Sequence, residues 1–187
     1  AIGCTYKYLN GGPGAPAFLY VRKDLQEELE NPIQGWFGEM NPFEFKMTYR
    51  KAPGIRKFMT GTPPVVSLSG LEPSLDMILE AGMTRLREKS VAQSEYMISL
   101  AGEWLSEAGF RLGSPGQPDK RGSHVTLKHV EAYRICKALI DKEVGQRSVI
   151  PDFREPNNIR LGITPLYTSY EEIYLAVEKL RLSMEKK

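Results

Sequence analysis

The sequence has few of the residues on which disulfide-bonded and metal-bound folds depend. Only two cysteines and two histidines occur among its 187 residues. Cys4 and Cys136 lie far apart and form no CxxC pair, which excludes a disulfide framework. His124 and His129 have no cysteine or aspartate partners at ligand spacing, so we expect no metal site. Such sparse cysteine usage indicates a reducing compartment, and we expect a cytoplasmic protein.

Several motifs that identify enzyme and partner classes are also missing. There is no G-x-S-x-G elbow of a serine hydrolase, and no GKS or GKT follows the glycine-rich segment as it would in a P-loop. The net charge is only +2, and the basic residues are spread along the chain. We therefore expect no nucleic-acid partner. The apolar runs fall short of the roughly 20 residues of a membrane helix, so we expect no membrane association.

The composition that remains is that of a globular protein, with 41% hydrophobic and 26% charged residues. Strands are predicted from Ile2 to Thr5 and from Ala17 to Lys23, joined by the turn-rich loop Gly11–Pro16. Asp24 is expected to cap a short helix that runs to Glu30. The next segment, residues 33–62, has no clear periodicity. Because the chain begins inside a strand and without methionine, we expect a fragment or one piece of a nicked chain.

Two helices are predicted in the middle of the chain. Helical spacing of apolar residues begins after a Pro-Pro pair, where a helix tolerates proline. Pro73 should kink or divide this helix, and Gly82 should end it. A second, longer helix is expected to begin with a cap near Thr84 and to stop at Gly109. We place the domain boundary around these helices, between residues 80 and 81.

The remainder, residues 81–187 with the second helix at its start, should form a small α+β domain. Ser169 and Glu172 form a capping box, which predicts that the last helix begins here. The order βαββα predicts a helical layer on one face of a sheet. The predicted elements are short strands in FRLGSP, GSHVTLKH, SVIPDF and NIRLGIT, and a helix over VEAYRICKALIDKE that Gly145 closes.

Lys7 is the first candidate for chemistry, because it follows an apolar strand and lies between Tyr6 and Tyr8. A lysine used in covalent catalysis needs a partly neutral amine, which aromatic neighbours and a tight glycine loop could favour. The alternative is a surface lysine at the end of a strand. The loop Gly11–Pro16 could cradle a phosphate through its backbone N–H groups. Pro13 and Pro16 remove two of those donors, however, which favours a turn that sets the shape of the chain.

The other candidates are donors and cations further along the chain. Trp36, between glycines in GWFG, could donate its indole N–H to a phosphate or could plug a loop. Thr60 and Thr62, just before a helix, could help bind an anion or could act as an ordinary N-cap. Arg154 and Arg160 could each grip a carboxylate with two hydrogen bonds, or each could form a surface ion pair.

Together these segments resemble the kynureninases, a branch of the fold-type I pyridoxal-phosphate enzymes. YKYLNGGPGAPAFLYV resembles the segment that carries their cofactor lysine. GWFG, GTPP, KRGSHV and DFREPNNIRLGITPLY resemble the same family, as does the spacing between them. The resemblance runs essentially from end to end of the chain. It implies an α/β fold, in which residues 1–80 are the C-terminal part of the large pyridoxal-phosphate domain and residues 81–187 are a small α+β domain.

The resemblance also implies roles for individual residues. Lys7 matches the lysine that carries pyridoxal 5'-phosphate covalently. Tyr6, Trp36 and Thr62 match positions that bind the cofactor near its phosphate. Arg160 matches the arginine that holds the α-carboxylate of the substrate, which leaves a structural role for Arg154.

The activity that the resemblance implies is hydrolysis of L-kynurenine to anthranilate and L-alanine, in tryptophan catabolism and NAD biosynthesis. The hydroxylated substrate 3-hydroxykynurenine would give 3-hydroxyanthranilate. The family forms homodimers, and the N-terminal half of its longer subunit supplies a ring-stacking aromatic and an aspartate for the pyridinium nitrogen. Alternatives are another fold-type I enzyme, such as a desulfurase or an aminotransferase, and an inactive fragment. A desulfurase needs a mobile cysteine, a role that neither Cys4 in a strand nor Cys136 in a helix suits.

The resemblance further places Gly61 beside the ring of the substrate. Family members that favour the hydroxylated substrate tend to carry Ser-Asn where this chain has Gly61 and Thr62. An asparagine offers both a donor and an acceptor to a ring hydroxyl, whereas glycine offers no side chain. We therefore expect a preference for L-kynurenine.

Overall fold

The computed structural model describes residues 1–141 and 147–185 and has two compact units, Ala1–Leu79 and Glu80–Lys187. The sequence put the boundary between residues 80 and 81. That these units are the end of a cofactor domain and a small C-terminal domain stays a prediction. No helix in the described part of the chain is both long and apolar enough to cross a membrane.

The first unit begins with two short antiparallel strands, β1 (Ile2–Cys4) and β2 (Ala17–Leu19). The strand predicted to reach Lys23 therefore stops early. The helix predicted from Asp24 to Glu30 is wrong, since only a three-residue 3-10 helix forms at Lys23–Leu25. The Asp24 carboxylate accepts a hydrogen bond from Arg22 Nε at 2.6 Å instead of capping backbone N–H groups. A local ion pair has replaced the predicted cap.

The segment without periodicity forms three 3-10 helices, at Trp36–Gly38, Pro42–Glu44 and Gly54–Phe58. Close backbone packing holds the first of them against the chain that leads to α1. A Cβ atom added to Gly35 would lie 1.8 Å from the carbonyl oxygen of Thr60. Only glycine allows this approach, so the GWFG and TGTPP motifs are brought together by a position that tolerates no side chain.

The first long helix, α1 (Val65–Ala81), follows the Pro-Pro pair as predicted. Of the two effects predicted for Pro73, a kink or a division, the division is wrong, because the helix continues through the proline. The residues beside Pro73 are anchored: Leu71 and Ser74 are buried, and the Ser74 hydroxyl donates to the Asn10 carbonyl at 3.0 Å. These contacts offset the backbone hydrogen bond that proline removes. Gly82 follows the last turn with φ +79°, which confirms the predicted end.

The second unit contains a four-stranded antiparallel sheet with the strand order β3-β4-β6-β5. The sequence expectation of helices alternating with short strands is confirmed here. The elements are α2 (Met83–Leu105), β3 (Arg111–Leu112), β4 (His124–Lys128), α3 (Ala132–Ile140), β5 (Asp152–Arg154), β6 (Asn158–Gly162) and α4 (Tyr170–Glu185).

Several boundaries in this unit differ from the prediction. Thr84 does not cap α2, which begins one residue earlier after Gly82. The helix ends at Leu105, and Gly109 with φ +89° lies in the turn beyond it. The strand predicted at SVIPDF is limited to its last residues, because the Val149 N–H donates to the Leu139 carbonyl instead of to a strand. The predicted stop at Gly145 lies outside the described residues.

The capping box of the last helix is confirmed in full. The Ser169 hydroxyl accepts the Glu172 N–H at 3.1 Å, and the Glu172 carboxylate accepts the Ser169 N–H at 2.8 Å. These hydrogen bonds hold the pKa of Glu172 below its ordinary value. Both partners are exposed, so the interaction fixes where α4 begins more than it adds to stability.

The sheet of the second unit separates an apolar face from a polar one. Alternate residues of β4 and β6, among them Val125, Leu127, Ile159 and Leu161, are at most 5% exposed and join the core with α2, α3 and α4. The residues between them are partly exposed and lie on the opposite face. The predicted helical layer on one face of a sheet is therefore confirmed.

The first unit has much less buried apolar surface of its own. Its buried hydrophobic residues are Val21, Ala52, Leu71 and Ile78, while aromatic residues such as Phe43 and Phe45 are more than 70% exposed. The β1–β2 ribbon has no further strands in this unit, and a two-stranded ribbon is marginally stable alone.

The close approach at Gly35 gives a test of this arrangement. Gly35→Ala should lower the free energy of unfolding by about 1–3 kcal/mol or more, because a methyl group would overlap the Thr60 backbone. Gly61→Ala is the matched control, since no atom lies within 4 Å of its added Cβ. It should change the free energy by less than about 0.5 kcal/mol. Urea unfolding of the full-length protein measures both, and equal midpoints would contradict the contact.

Candidate functional site

Lys7 lies in a tight turn directly after β1. Its carbonyl accepts the Asn10 N–H at 2.9 Å, and the Thr5 carbonyl accepts the Gly11 N–H at 3.0 Å. Asn10 has φ +54°, a left-handed conformation that asparagine adopts more readily than most residues. The turn fixes the backbone of Lys7 while the side chain remains exposed.

The glycine-rich loop after this turn is explained by its shape. Gly12 and Gly14 have φ +75° and +88°, conformations that L-residues with side chains rarely adopt. The Ala15 N–H donates to the Gly12 carbonyl at 3.1 Å, and the Thr5 hydroxyl donates to the Pro16 carbonyl. These contacts favour the interpretation of the loop as a turn that sets the shape of the chain, and not its interpretation as a phosphate cradle.

Lys7 and Tyr6 contact each other as an exposed pair. Lys7 Nζ lies 5.0 Å from the centroid of the Tyr6 ring, within cation–π range. The Tyr6 side chain is 45% exposed, and its hydroxyl has no hydrogen-bond partner among residues 1–141 and 147–185. An amine and a phenol hydroxyl are thus presented together at the end of β1.

Trp36 is held in place by aromatic neighbours. Its ring meets Phe37 edge to face at a centroid distance of 4.5 Å and Phe43 at 5.8 Å. The residue is 47% exposed, so it is not the buried plug of the alternative interpretation. Its indole N–H has no acceptor within the described part of the chain.

Gly61 and Thr62 lie just before α1. A Cβ on Gly61 would meet open space, and Thr62 is exposed. The Thr62 hydroxyl makes no hydrogen bond to any residue that the structure describes, so the ordinary N-cap is not formed. The close approach of Gly35 to Thr60 keeps Thr62 and Trp36 on neighbouring segments.

The donors of the first unit suit a phosphate. Tyr6 and Thr62 each offer a hydroxyl and Trp36 an indole N–H, and all three groups lack protein partners among the described residues. Phosphate oxygens accept hydrogen bonds from such groups. No hydrogen bond or ring contact in this part of the chain joins Tyr6 to Trp36 or Thr62. The residue types fit pyridoxal phosphate, and the contact of Gly35 with Thr60 places Trp36 and Thr62 on neighbouring segments.

Arg160 belongs to the second unit, on the polar face of the central strand β6. It lies opposite Thr126 of β4 and Asp152 of β5. Its Nη2 forms an ion pair with Asp152 Oδ2, and Arg154 Nε contacts the same oxygen at 3.0 Å. The sequence singled out both arginines but missed the aspartate between them. The alternation in Asp-Phe-Arg was the available signal, since it puts Asp152 and Arg154 on one face.

The charge of Asp152 is set by these two arginines. Partial burial alone would raise the pKa of its carboxyl group. The hydrogen bond from Arg154 and the positive charges of Arg160 and Arg154 outweigh burial and hold the pKa below its ordinary value. Asp152 therefore remains a carboxylate across the neutral range.

His129 is placed for a structural role. His129 is buried; its Nε2 donates to the Ala108 carbonyl at 3.0 Å, and its Nδ1 accepts the Glu131 N–H at 3.0 Å. Both ring nitrogens are used within the protein. Among residues 1–141 and 147–185, no group of three or more His, Cys, Asp or Glu side chains could hold a metal ion.

Comparison with known proteins identifies relatives for both units. A family model described as the kynureninase C-terminal domain matches residues 86–180, about half of the chain. The kynureninase of Pseudomonas fluorescens is 41% identical over 187 residues, which are 100% of this chain and 44% of that protein. The chain therefore spans less than half the length of the curated relatives it matches.

Solved structures show the same fold at low identity. The cysteine desulfurase of Thermococcus onnurineus has a TM-score of 0.70 at 17% identity, over 91% of this chain and 44% of its own. The enzyme C-DES, solved with glycine covalently linked to its PLP cofactor, has a TM-score of 0.66 at 17% identity, over 90% of this chain and 43% of its own. The predicted α/β fold, the C-terminal part of a fold-type I enzyme, is confirmed. The family model, supported by the 41% identity along the whole of this chain, shows that this chain belongs to the kynureninase family.

Proposed function

We propose that the protein containing this chain is a kynureninase. It would hydrolyse L-kynurenine to anthranilate and L-alanine, with 3-hydroxykynurenine as a second substrate. The observation that carries the proposal is 41% identity to a kynureninase along the whole chain. The functions of the whole subunit, in tryptophan catabolism and NAD biosynthesis as a cytoplasmic homodimer, belong to the same proposal.

Pyridoxal phosphate would be held by residues of the first unit. Lys7 would carry it covalently, and Tyr6, Trp36 and Thr62 would donate hydrogen bonds to its phosphate. The support is that these three donors have no protein partner within the described residues. When bound, the cofactor supplies an electron sink for the carbanions of the reaction. The rest of the subunit would supply the ring-stacking aromatic and the aspartate for the pyridinium nitrogen.

Lys7 and Arg160 would act on different groups of the substrate. The Lys7 amine, which the turn after β1 presents on the surface, would act as base and then as acid for the proton at Cα. Arg160 would bind the α-carboxylate with two hydrogen bonds and so orient the Cα–H bond. Arg154 suits this role less, because it lies on an edge strand with 62% of its side chain exposed, against 39% for Arg160.

The thiols of this chain give little support to a desulfurase. Cys136 is buried in α3, and burial together with the negative charge of Asp152 raises the pKa of its thiol. Cys4 is exposed, but it is paired with Ala17 in the β1–β2 ribbon. A nucleophilic cysteine needs a depressed pKa and freedom to reach the substrate. The kynureninase proposal is therefore preferred for this chain.

The attachment of the cofactor can be located directly. Borohydride reduction of the full-length protein loaded with pyridoxal phosphate, followed by peptide mapping, should place the pyridoxyl group on Lys7. Lys7→Ala should abolish the labelled peptide and the turnover of kynurenine. A pyridoxyl group on any other lysine ends the assignment of Lys7.

The role of Arg160 can be tested against its neighbour. Arg160→Lys should reduce kcat/KM for L-kynurenine by at least about tenfold, because lysine cannot make the two-pronged contact. Arg154→Lys is the matched control on the same face and should have a smaller effect. Steady-state kinetics of both full-length variants measure these losses. A larger loss of kcat/KM for Arg154→Lys than for Arg160→Lys would show that Arg160 is not the carboxylate-binding arginine.

The preference between the two substrates can be tested at Gly61 and Thr62. The wild-type protein should favour L-kynurenine over 3-hydroxykynurenine by about one to two decades in kcat/KM, since a buried hydroxyl without a partner costs roughly 1–3 kcal/mol. Gly61→Ser with Thr62→Asn should shift the ratio towards the hydroxylated substrate. Equal values in the wild type, or an unchanged ratio in the double variant, would remove these positions from substrate selection.

A further inference from the structure

Asp152 occupies the centre of a three-residue charged cluster on the polar face of the sheet. The β5–β6 register places Asp152 directly opposite Arg160. Its Oδ2 atom is shared by Arg160 Nη2 and by Arg154 Nε, the latter at 3.0 Å. The carboxylate is 43% exposed, so the cluster is open to ligands from the polar side.

The contact with Asp152 leaves most of the Arg160 guanidinium available. A guanidinium has five N–H groups arranged along two edges, and Nη2 contributes one hydrogen to each edge. Arg160 Nε and Nη1 have no partner among the described residues. Since Asp152 is bound through Nη2 alone, one complete two-pronged edge remains for a second carboxylate.

The contact between Arg160 Nη2 and Asp152 reduces the ordering of the arginine side chain that a ligand must bring about when it binds. An unrestrained arginine samples many rotamers, and a ligand that needs one of them must order the side chain when it binds. Asp152 and the flanking strands restrict Arg160 before any ligand arrives. Arg154 contributes by holding the carboxylate from the other side, at the same oxygen.

We propose that Asp152 is a positioning residue that holds Arg160 through Nη2 and so presents the other edge of its guanidinium to the substrate α-carboxylate. This inference rests on the proposed function, because it assumes that Arg160 receives that carboxylate. Asp152 does not touch the substrate in this role. The lowered pKa of its carboxyl group keeps the ion pair intact at neutral pH.

Two ligands separate positioning from a merely structural role. One is L-kynurenine, and the other is the amine analogue that lacks the α-carboxylate, measured as an inhibitor of the full-length enzyme. Asp152→Asn should raise KM for L-kynurenine about tenfold, the size of one charge-assisted contact, with little change in kcat. The inhibition constant of the amine analogue should stay the same. A structural defect would weaken both ligands together.

The controls come from within the chain. Asp24→Asn removes a similar exposed carboxylate that also pairs with the Nε of an arginine two residues away, and it should leave both constants unchanged. Asp152→Glu keeps the charge and should recover part of the affinity for L-kynurenine. In the Arg160→Lys background, adding Asp152→Asn should cost much less than it does alone, because the residues act as a unit.

The outcomes distinguish this inference from the proposed function. If the wild type does not cleave L-kynurenine, the proposed function fails, and the inference fails with it. If the wild type is active and Arg160→Lys is impaired, but Asp152→Asn binds L-kynurenine as tightly as the wild type, only the inference is overturned. Equal weakening for both ligands, or full additivity with Arg160→Lys, would overturn it as well.

Discussion

The second unit depends on the antiparallel register of β4, β6 and β5. This register puts Ile159 and Leu161 into the core and leaves Arg160, between them, on the polar face. Because side chains alternate along a strand, a slip of one residue would bury the arginine and expose two core residues. The burial of the apolar face therefore selects the register, and the register in turn places Arg160 opposite Asp152. In this unit, the core and the candidate carboxylate-binding residue are specified by the same alternation.

The first unit is specified in a different way, by positions that favour glycine, either because a side chain would clash or because φ is positive. Gly35 lies against the Thr60 backbone, and Gly12 and Gly14 have positive φ angles. Few apolar side chains are buried in this unit. Its shape therefore rests on turns and close backbone contacts more than on a core. Such contacts define the course of the backbone, because each fixes one position at which a larger residue would clash or strain the chain.

The sequence predicted best the features that are decided locally. The capping box of Ser169 and Glu172 formed as expected because both partners lie within one helical turn. The cap at Asp24 failed because a neighbouring arginine two residues away competed for the carboxylate. Pro73 did not divide its helix, and the neighbouring Ser74 is hydrogen-bonded to Asn10, 64 residues away in sequence. The competing Arg22 is a local feature of the sequence, whereas helix propensity contains no information about a partner 64 residues away such as Asn10.

The candidate site shows the same division between local and distant information. Lys7 and Tyr6 are adjacent in a motif, so the resemblance alone predicts their roles. Arg154 and Arg160 lie close in sequence, so the motif alone separates them poorly. The sheet adds a physical reason to prefer Arg160 as the carboxylate-binding residue. Arg160 stands on a central strand paired on both sides, whereas Arg154 stands on an edge strand. A backbone held by two neighbours positions a guanidinium more firmly than an edge does, and the cross-strand Asp152, invisible to motif comparison, fixes the end of that side chain.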